Sequence, residues 1–249
     1  GYLPDIQTSR LCPYTCAFCV SGKNRGKLRA FPLEQVREEL HYIGKMYSDK
    51  PYMILYITDE NFGVIDRDLQ VTDLILEASQ KWKFPQTVFF YNDKRFTDRS
   101  RTIVSKLSHM SLSGLTLSLQ SENPDALKAV ARRNLTHKQI DDIIEWAKTE
   151  KIPATTELIF GLPGETLVSF KELLDRSIQR GFDTVLCNNL FIVDGIEMNR
   201  KKYREEFNLG THFRTVRDNY GQIGKYFCAE VEEVVTSSDH FTFDDYLKI

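Results

Sequence analysis

A chain of 249 residues is long enough for one large domain with a full hydrophobic core. Hydrophobic residues at 41% and charged residues at 27% exclude the disordered classes, and no apolar run approaches a transmembrane helix or a signal peptide. The net charge of −2 argues against a broad nucleic-acid surface and leaves the cytoplasm as the default compartment.

The chain opens on an extended stretch, Asp5 to Ser9, and then a C-x3-C-x2-C run, Cys12, Cys16 and Cys19, before a glycine-bearing loop at Ser21-Gly22-Lys23. Three thiolates in one loop are soft ligands suited to zinc or an iron–sulfur cluster. A structural zinc site closes its tetrahedron with a fourth Cys or His, and the next candidate, His41, lies inside a helical pattern. A cubane held by three cysteines keeps one iron open. Cys187 and Cys228 are far apart and exclude a disulfide framework; both are read as small buried hydrophobes. The first residue is Gly1 rather than Met, which suits a piece of a longer protein.

Beyond the loop, Leu33, Val36, Leu40 and Ile43 recur at helical spacing behind Pro32. Strand-like runs follow at Tyr52–Thr58, Thr87–Tyr91, Leu115–Leu119, Thr155–Phe160 and from Thr184 toward Val193. Helical patterns separate them: Leu69 to Ser79, a helix capped by Thr97, one opened by Asn123-Pro124, one boxed by Thr136 and Gln139, and Leu167 to Gly181. Strict alternation implies βαβ units and a parallel α/β sheet, either a partial barrel or an open doubly wound sheet. After Gly195 the pattern changes to a charged helix-like stretch, Arg200 to Glu206, and a weakly alternating edge strand, Glu230 to Thr236. The expected division is residues 1–195 and an irregular extension, 196–249.

Polar residues gather where the strands end, which is where such folds bind ligands. Glu60 stands in Thr58-Asp59-Glu60-Asn61-Phe62, against the simpler reading of a solvated acidic turn. Ser118 and Gln120 share a face by strand alternation. Arg132 suits a carboxylate, although a helix C-terminus would also attract it and its neighbour Arg133. Glu157 leads into a loop with Gly161 and Gly164, where the backbone has room to approach a ligand. Tyr91-Asn92-Asp93 ends the third strand and faces the same cavity.

The cysteine run, with the aromatic Phe18 just before its last Cys, resembles the signature of the radical S-adenosylmethionine (SAM) superfamily. Leu119-Gln120-Ser121 with Asn123-Pro124 and Arg132, and Ile159-Phe160-Gly161-Leu162-Pro163-Gly164-Glu165-Thr166, resemble later motifs of that family in the same order, over roughly residues 3 to 195. The resemblance implies a partial (β/α)6 TIM-like barrel with a 4Fe-4S cluster on Cys12, Cys16 and Cys19. It implies SAM on the open iron, cleaved reductively to a 5′-deoxyadenosyl radical. Glu60 would accept from SAM's ammonium, Ser118 and Gln120 would meet ribose or methionine, Arg132 the carboxylate, and Phe18 with the stretch from Glu157 through Gly161 and Gly164 the adenine. Asp59-Glu60-Asn61-Phe62, Leu119-Gln120-Ser121 and the tail from Glu232 to Leu247 are similar to the cobalamin-associated group, whose cobalamin domain precedes the cysteines and is absent here. The function implied is catalysis in a cobalamin-dependent methyltransferase, with an oxidative cyclase or methylthiotransferase as alternatives. A non-catalytic metal or iron–sulfur module is the alternative of another class. Expected partners are a small-molecule substrate and an electron donor such as flavodoxin or ferredoxin, with neither a membrane nor nucleic acid.

Overall fold

The computed structural model describes residues 3–21 and 26–249; the expected loop at Gly22-Lys23 lies outside them. After β1 (Asp5–Ile6), a short ribbon of β2 (Ser9–Arg10) and β3 (Arg29–Ala30) brackets the cysteine run. Then come α1 (Leu33–Met46), β4 (Ile54–Ile57), α2 (Asp68–Trp82), β5 (Thr87–Phe89), α3 (Asp98–Leu107) and β6 (Leu115–Gln120). They are followed by α4 (Pro124–Ala129), α5 (His137–Thr149), β7 (Ala154–Phe160), α6 (Leu167–Arg180) and β8 (Thr184–Asn189). The alternation of strand and helix is therefore as expected.

The helices form where apolar periodicity and end signals agree. Asn123 accepts from the backbone of Asp125 and Ala126 with Pro124 behind it, and Thr136 forms its box with Gln139. Gly181 ends α6 at φ 87°, a left-handed conformation that favours glycine. Thr97 occupies the cap position of α3, but its hydroxyl caps no backbone amide. Val36, Leu40, Val71, Ile75, Ile103, Leu107, Ile143 and Phe170 turn inward onto Leu55, Val88, Leu115, Leu117 and Leu158 of the strands. Each such side chain contributes about 1.5–3 kcal/mol through removal from water.

All six main strands are parallel and in chain order, but they form two three-stranded sheets, β1-β4-β5 and β6-β7-β8. No ladder joins β5 to β6. The seam is stitched instead by Leu112 N–H on Val88 O (2.8 Å) and by Asn92 Oδ1, which accepts from Thr116 N (2.8 Å). The sheets do not close on themselves, so the architecture is a mixed α/β fold.

From β8 onward four expectations are corrected. The last strand does not run on to Val193. Leu190 donates to Phe160 O and accepts from Val235, and Phe191–Ile192 forms a separate β9 that pairs with the C-terminal region. The extension is not irregular. After a 3-10 turn (Glu197–Asn199) and α7 (Lys201–Glu206), β10 (Gly210–Ile223) and β11 (Tyr226–Ser237) make a long antiparallel hairpin, followed by α8 (Phe243–Tyr246). The segment Glu230–Thr236 belongs to β11, which is the central strand of β10-β11-β9 rather than an edge. Arg204 holds the hairpin to α7 through both Glu233 oxygens at 2.7 and 2.6 Å. Finally, Cys187 and Cys228 are exposed, not buried, because β8 and the hairpin have solvent on their faces. Among the described residues no helix is long and apolar enough to cross a membrane.

Candidate functional site

The site is built from the loop between β2 and β3 outward. Backbone bonds fix the loop on two sides: Ala17 N donates to Val130 O at 3.0 Å, and Ala17 O accepts from Met198 N at 3.2 Å. Cys19 N closes a tight turn onto Cys16 O at 3.1 Å. Phe18 is half-buried against the core. Three N–H groups converge on two thiols. Asn61 Nδ2 donates to Cys12 Sγ at 3.0 Å, Lys94 Nζ to Cys16 Sγ at 3.4 Å, and Arg132 Nη1 points at Cys16 Sγ from 3.7 Å.

Burial pushes the Cys12 thiol up to about 11, and the neighbouring Cys19 and Cys16 push the same way against the Tyr14 backbone and Lys94. Burial pushes the Lys94 ammonium down, with Arg132 adding to it and Cys16 opposing. The bare Cys12 thiol is thus held protonated, and a metal must displace that proton to gain its thiolate. Among the described residues no three His, Cys, Asp or Glu side chains converge on one metal ion. A single zinc ion is therefore poorly served. Cys12, Cys16 and Cys19 would better suit a cubane, which spreads its thiolate ligands over several irons.

The turn after β4 divides its labour. Asp59 is buried and accepts from Thr8 N (2.5 Å), Thr8 Oγ1 (2.6 Å), Ser9 N (3.1 Å) and Ser9 Oγ (2.8 Å), so it is fully engaged in holding the strand that leads into the cysteines. Its neighbour Glu60 has a buried Oε2 with no hydrogen-bond partner. Such an atom calls for a donor, and a bound ligand would provide one.

Ser118 Oγ donates to Glu157 Oε2 at 2.7 Å across β6 and β7. Tyr91 lies near that carboxylate; burial first and Glu157 second raise its phenol. Strand alternation does not carry through to Gln120. The β6 register shifts between Leu117 and Gln120, and Gln120 sits at φ 65°. Its Oε1 is nonetheless buried and unpartnered, as at Glu60.

Arg132 is buried and Arg133 exposed. Arg132 does not end a helix: α4 stops at Ala129 and the left-handed Ala131 turns the chain inward. Its guanidinium bonds Ser118 O and Asn134 Oδ1 as well as facing Cys16. The two glycines of the loop after β7 serve packing rather than an open approach. A Cβ on Gly164 (φ 90°) would lie 2.7 Å from Ala126 N, and one on Gly161 (φ 96°) would meet Val235, Leu190 and Phe241 at 3.4–3.5 Å. Glu165 beside them is buried and takes hydroxyl bonds from Ser121 and Ser169, while burial raises its carboxyl above the usual range.

Sequence reasoning missed Asn61 and Lys94, whose contacts with the thiols come from separate strand ends. It also missed Asn134, whose amide ties Leu119 O (2.7 Å) to Ser121 O (2.6 Å). The positions of Asn61, beside Glu60 after the second strand, and of Lys94, just after Tyr91-Asn92-Asp93, were the available hints.

The model of the Radical SAM superfamily matches residues 6–176. The cobalamin-dependent radical SAM methyltransferase TokK of Streptomyces tokunonensis is 32% identical over 209 residues, which is 82% of this chain and 30% of TokK. The ribosomal protein methylthiotransferase RimO of Synechocystis sp. is 31% identical over 184 residues, 72% of this chain and 41% of RimO. The chain thus spans well under half the length of these curated relatives. Among solved structures, the radical S-adenosylmethionine methyltransferase TsrM of Kitasatospora setae, with cobalamin and a 4Fe-4S cluster bound, superposes with a TM-score of 0.67 at 17% identity, over 87% of this chain and 43% of that one, a likeness of fold. With a family model over most of its length and the three cysteines on their loop, this chain belongs to the radical SAM superfamily.

Proposed function

We propose that this chain is the radical-generating domain of a cobalamin-dependent methyltransferase, with a 4Fe-4S cluster on Cys12, Cys16 and Cys19 and SAM beside it. One observation carries the reading: two buried polar atoms without partners, Glu60 Oε2 and Gln120 Oε1, flank the donors that reach the thiols. Glu60 precedes Asn61, which touches Cys12, and Gln120 lies two residues from Ser118, whose carbonyl holds Arg132 against Cys16. Bound there, the cluster would supply the electron that opens a carbon–sulfur bond of SAM and yields a 5′-deoxyadenosyl radical. Glu60 accepts from the ammonium of SAM, Arg132 faces its carboxylate, and the Ser118–Glu157 pair takes ribose hydroxyls. Phe18 lies by the adenine, with Gly161 and Gly164 shaping the adenine loop through their packing.

We read the two parallel sheets as a partial (β/α)6 barrel over residues 1–195, with 196–249 as its extension; chain-order parallel strands and the Asn92 stitch support this. Cobalamin would bind through residues outside this chain. A small-molecule substrate, an electron donor such as flavodoxin or ferredoxin, and a reducing cytoplasm complete the assignment. Methylthiolation is the second reading, favoured by the likeness to RimO.

The test is anaerobic reconstitution with iron and sulfide. Changing Cys12, Cys16 or Cys19 to Ala should abolish the brown chromophore, and changing Cys187 or Cys228 should not. Stoichiometric zinc with no iron would sink the assignment, as would a cluster that never responds to SAM. Cobalamin retained by the full-length protein separates methyl transfer from methylthiolation.

A further inference from the structure

Lys94 is the cation of the site to which the SAM assignment gives no task. It stands in the turn after β5, half-buried, with Nζ 3.4 Å from Cys16 Sγ. The charges that act most on it are those of Cys16, Arg132 and Cys12, and none of these is a carboxylate. Holding an ammonium partly out of water without a carboxylate is costly, so its position calls for a reason.

That position is set from the cysteine loop itself. Tyr14, midway between Cys12 and Cys16, holds its ring under Lys94, with Nζ 3.8 Å from the ring centre. The Tyr14 hydroxyl donates to Asp93 Oδ1 at 2.5 Å. Asp93 is buried and pinned through its backbone, donating to Phe62 O at 2.9 Å and accepting from Phe96 N at 3.0 Å. Two consecutive residues of one turn thus grip one ring, Asp93 by its hydroxyl and Lys94 by its face. The loop that carries the sulfurs also carries the side chain that aims the ammonium at one of them.

Hydrogen bonds to ligand sulfurs and nearby charge are levers on the potential of an iron–sulfur cluster. Reduction by an external one-electron donor adds one negative charge to the cluster and its thiolates. A cation fixed beside a ligand sulfur stabilises that reduced form more than the oxidised one. Asn61 on Cys12 acts in the same sense without a charge. Arg132 faces Cys16 from 3.7 Å, but Ser118 O and Asn134 Oδ1 take its other N–H groups, and the proposed function commits it to SAM. We infer that Lys94, aimed by Tyr14, raises the reduction potential of a cluster on Cys12, Cys16 and Cys19 and so eases uptake of the electron that cleaves SAM. Tyr14 is a positioning residue, acting through Lys94.

The inference rests on the proposed function, and its test keeps the two apart. Midpoint potentials of the anaerobically reconstituted protein are read from the electron paramagnetic resonance signal of the reduced cluster. The unaltered protein is compared with K94M, K94R, Y14L and the double variant K94M/Y14L, with iron content and calorimetric SAM affinity measured beside them. K94M should make reduction about tenfold less favourable, a fall of about 59 mV for one electron. K94R keeps the charge and should recover most of that fall. Y14L should fall part of the way, and the double variant no further than K94M. A K94M midpoint equal to that of the unaltered protein would overturn the inference, as would a double variant that falls by the sum of the single ones. Loss of iron from K94M or Y14L would also overturn it, by giving the residue a structural role. SAM affinity lost at an unchanged midpoint would make Lys94 a SAM contact instead. If the midpoints shift as expected but SAM neither binds nor perturbs the signal, the tuning stands and the proposed function falls; zinc in place of iron in the unaltered protein overturns both.

Discussion

Adjacent carboxylates after β4 should behave as opposites. Asp59→Ala removes the acceptor of two buried backbone N–H groups, those of Thr8 and Ser9, and of both their hydroxyls. The hydroxyls can turn elsewhere, but the N–H groups cannot. An orphaned buried donor costs about 1–3 kcal/mol, so the loss is about 2–6 kcal/mol. At about 2–4 °C per kcal/mol for a chain of this size, the melting temperature should fall by roughly 5–20 °C. Glu60→Gln should leave the melt within about 0.5 kcal/mol, because its Oε2 has no partner to lose. Its effect should be on SAM, whose affinity should drop of order tenfold for one charge-assisted bond. The assay pairs thermal melts of the metal-free chain with calorimetric SAM titration of the reconstituted one. Equal destabilisation by the two changes would refute the division, as would an Asp59→Ala chain that melts normally and fails only with SAM.

Three further outcomes are expected. Arg132→Ala should weaken SAM binding by an order of magnitude and Arg133→Ala scarcely at all, since only the former is buried beside Cys16; equal losses by calorimetry would contradict this. Gly164→Ala should cost about 2–5 kcal/mol in urea melts, left-handed backbone plus a clash with Ala126, against about 1–2 kcal/mol for Gly161→Ala, where the space is ordinary. Asp68 gives a pH signature: burial lifts its carboxyl from 3.8 to about 6 against bonds from Gly63 and Ile65. The folded chain then binds that proton more tightly than the unfolded one. This adds stability as pH falls from 6 toward 4, up to about 3 kcal/mol, and the gain is lost as pH rises through 6. In Asp68→Asn that slope should vanish from melts run across the same range.

Much of the layout was legible because local signals agreed with the final packing: the capping residues Asn123 and Thr136, the stop at Gly181 and the apolar runs of β4 to β7 each act within a few residues. The choice of Arg132 over Arg133, made on motif spacing, coincides with their burial. The hairpin was not legible, because residues such as His212, Arg214, Asp218 and Asn219 give β10 no alternating apolar face. Its turn rests on Gly224 at φ 61° between Ile223 and Tyr226. Nor could sequence show that Asp59 is spent on Thr8 and Ser9, or that Asn61 and Lys94 reach the thiols, since each contact joins residues tens of positions apart. Gly161 and Gly164 look like ligand-facing glycines until their neighbours are seen.

The bond from Met198 to Ala17 sets an order of events during synthesis. The cysteines leave the ribosome well before the turn that clamps their loop, which is translated only after the six parallel strands. Until then the loop has one of its two anchors, to Val130, and the thiols face the cell in an unfinished cradle. Loading of iron and sulfide therefore belongs after translation, and a nascent chain stalled before residue 198 should be the form most open to oxidation or to capture by the wrong metal.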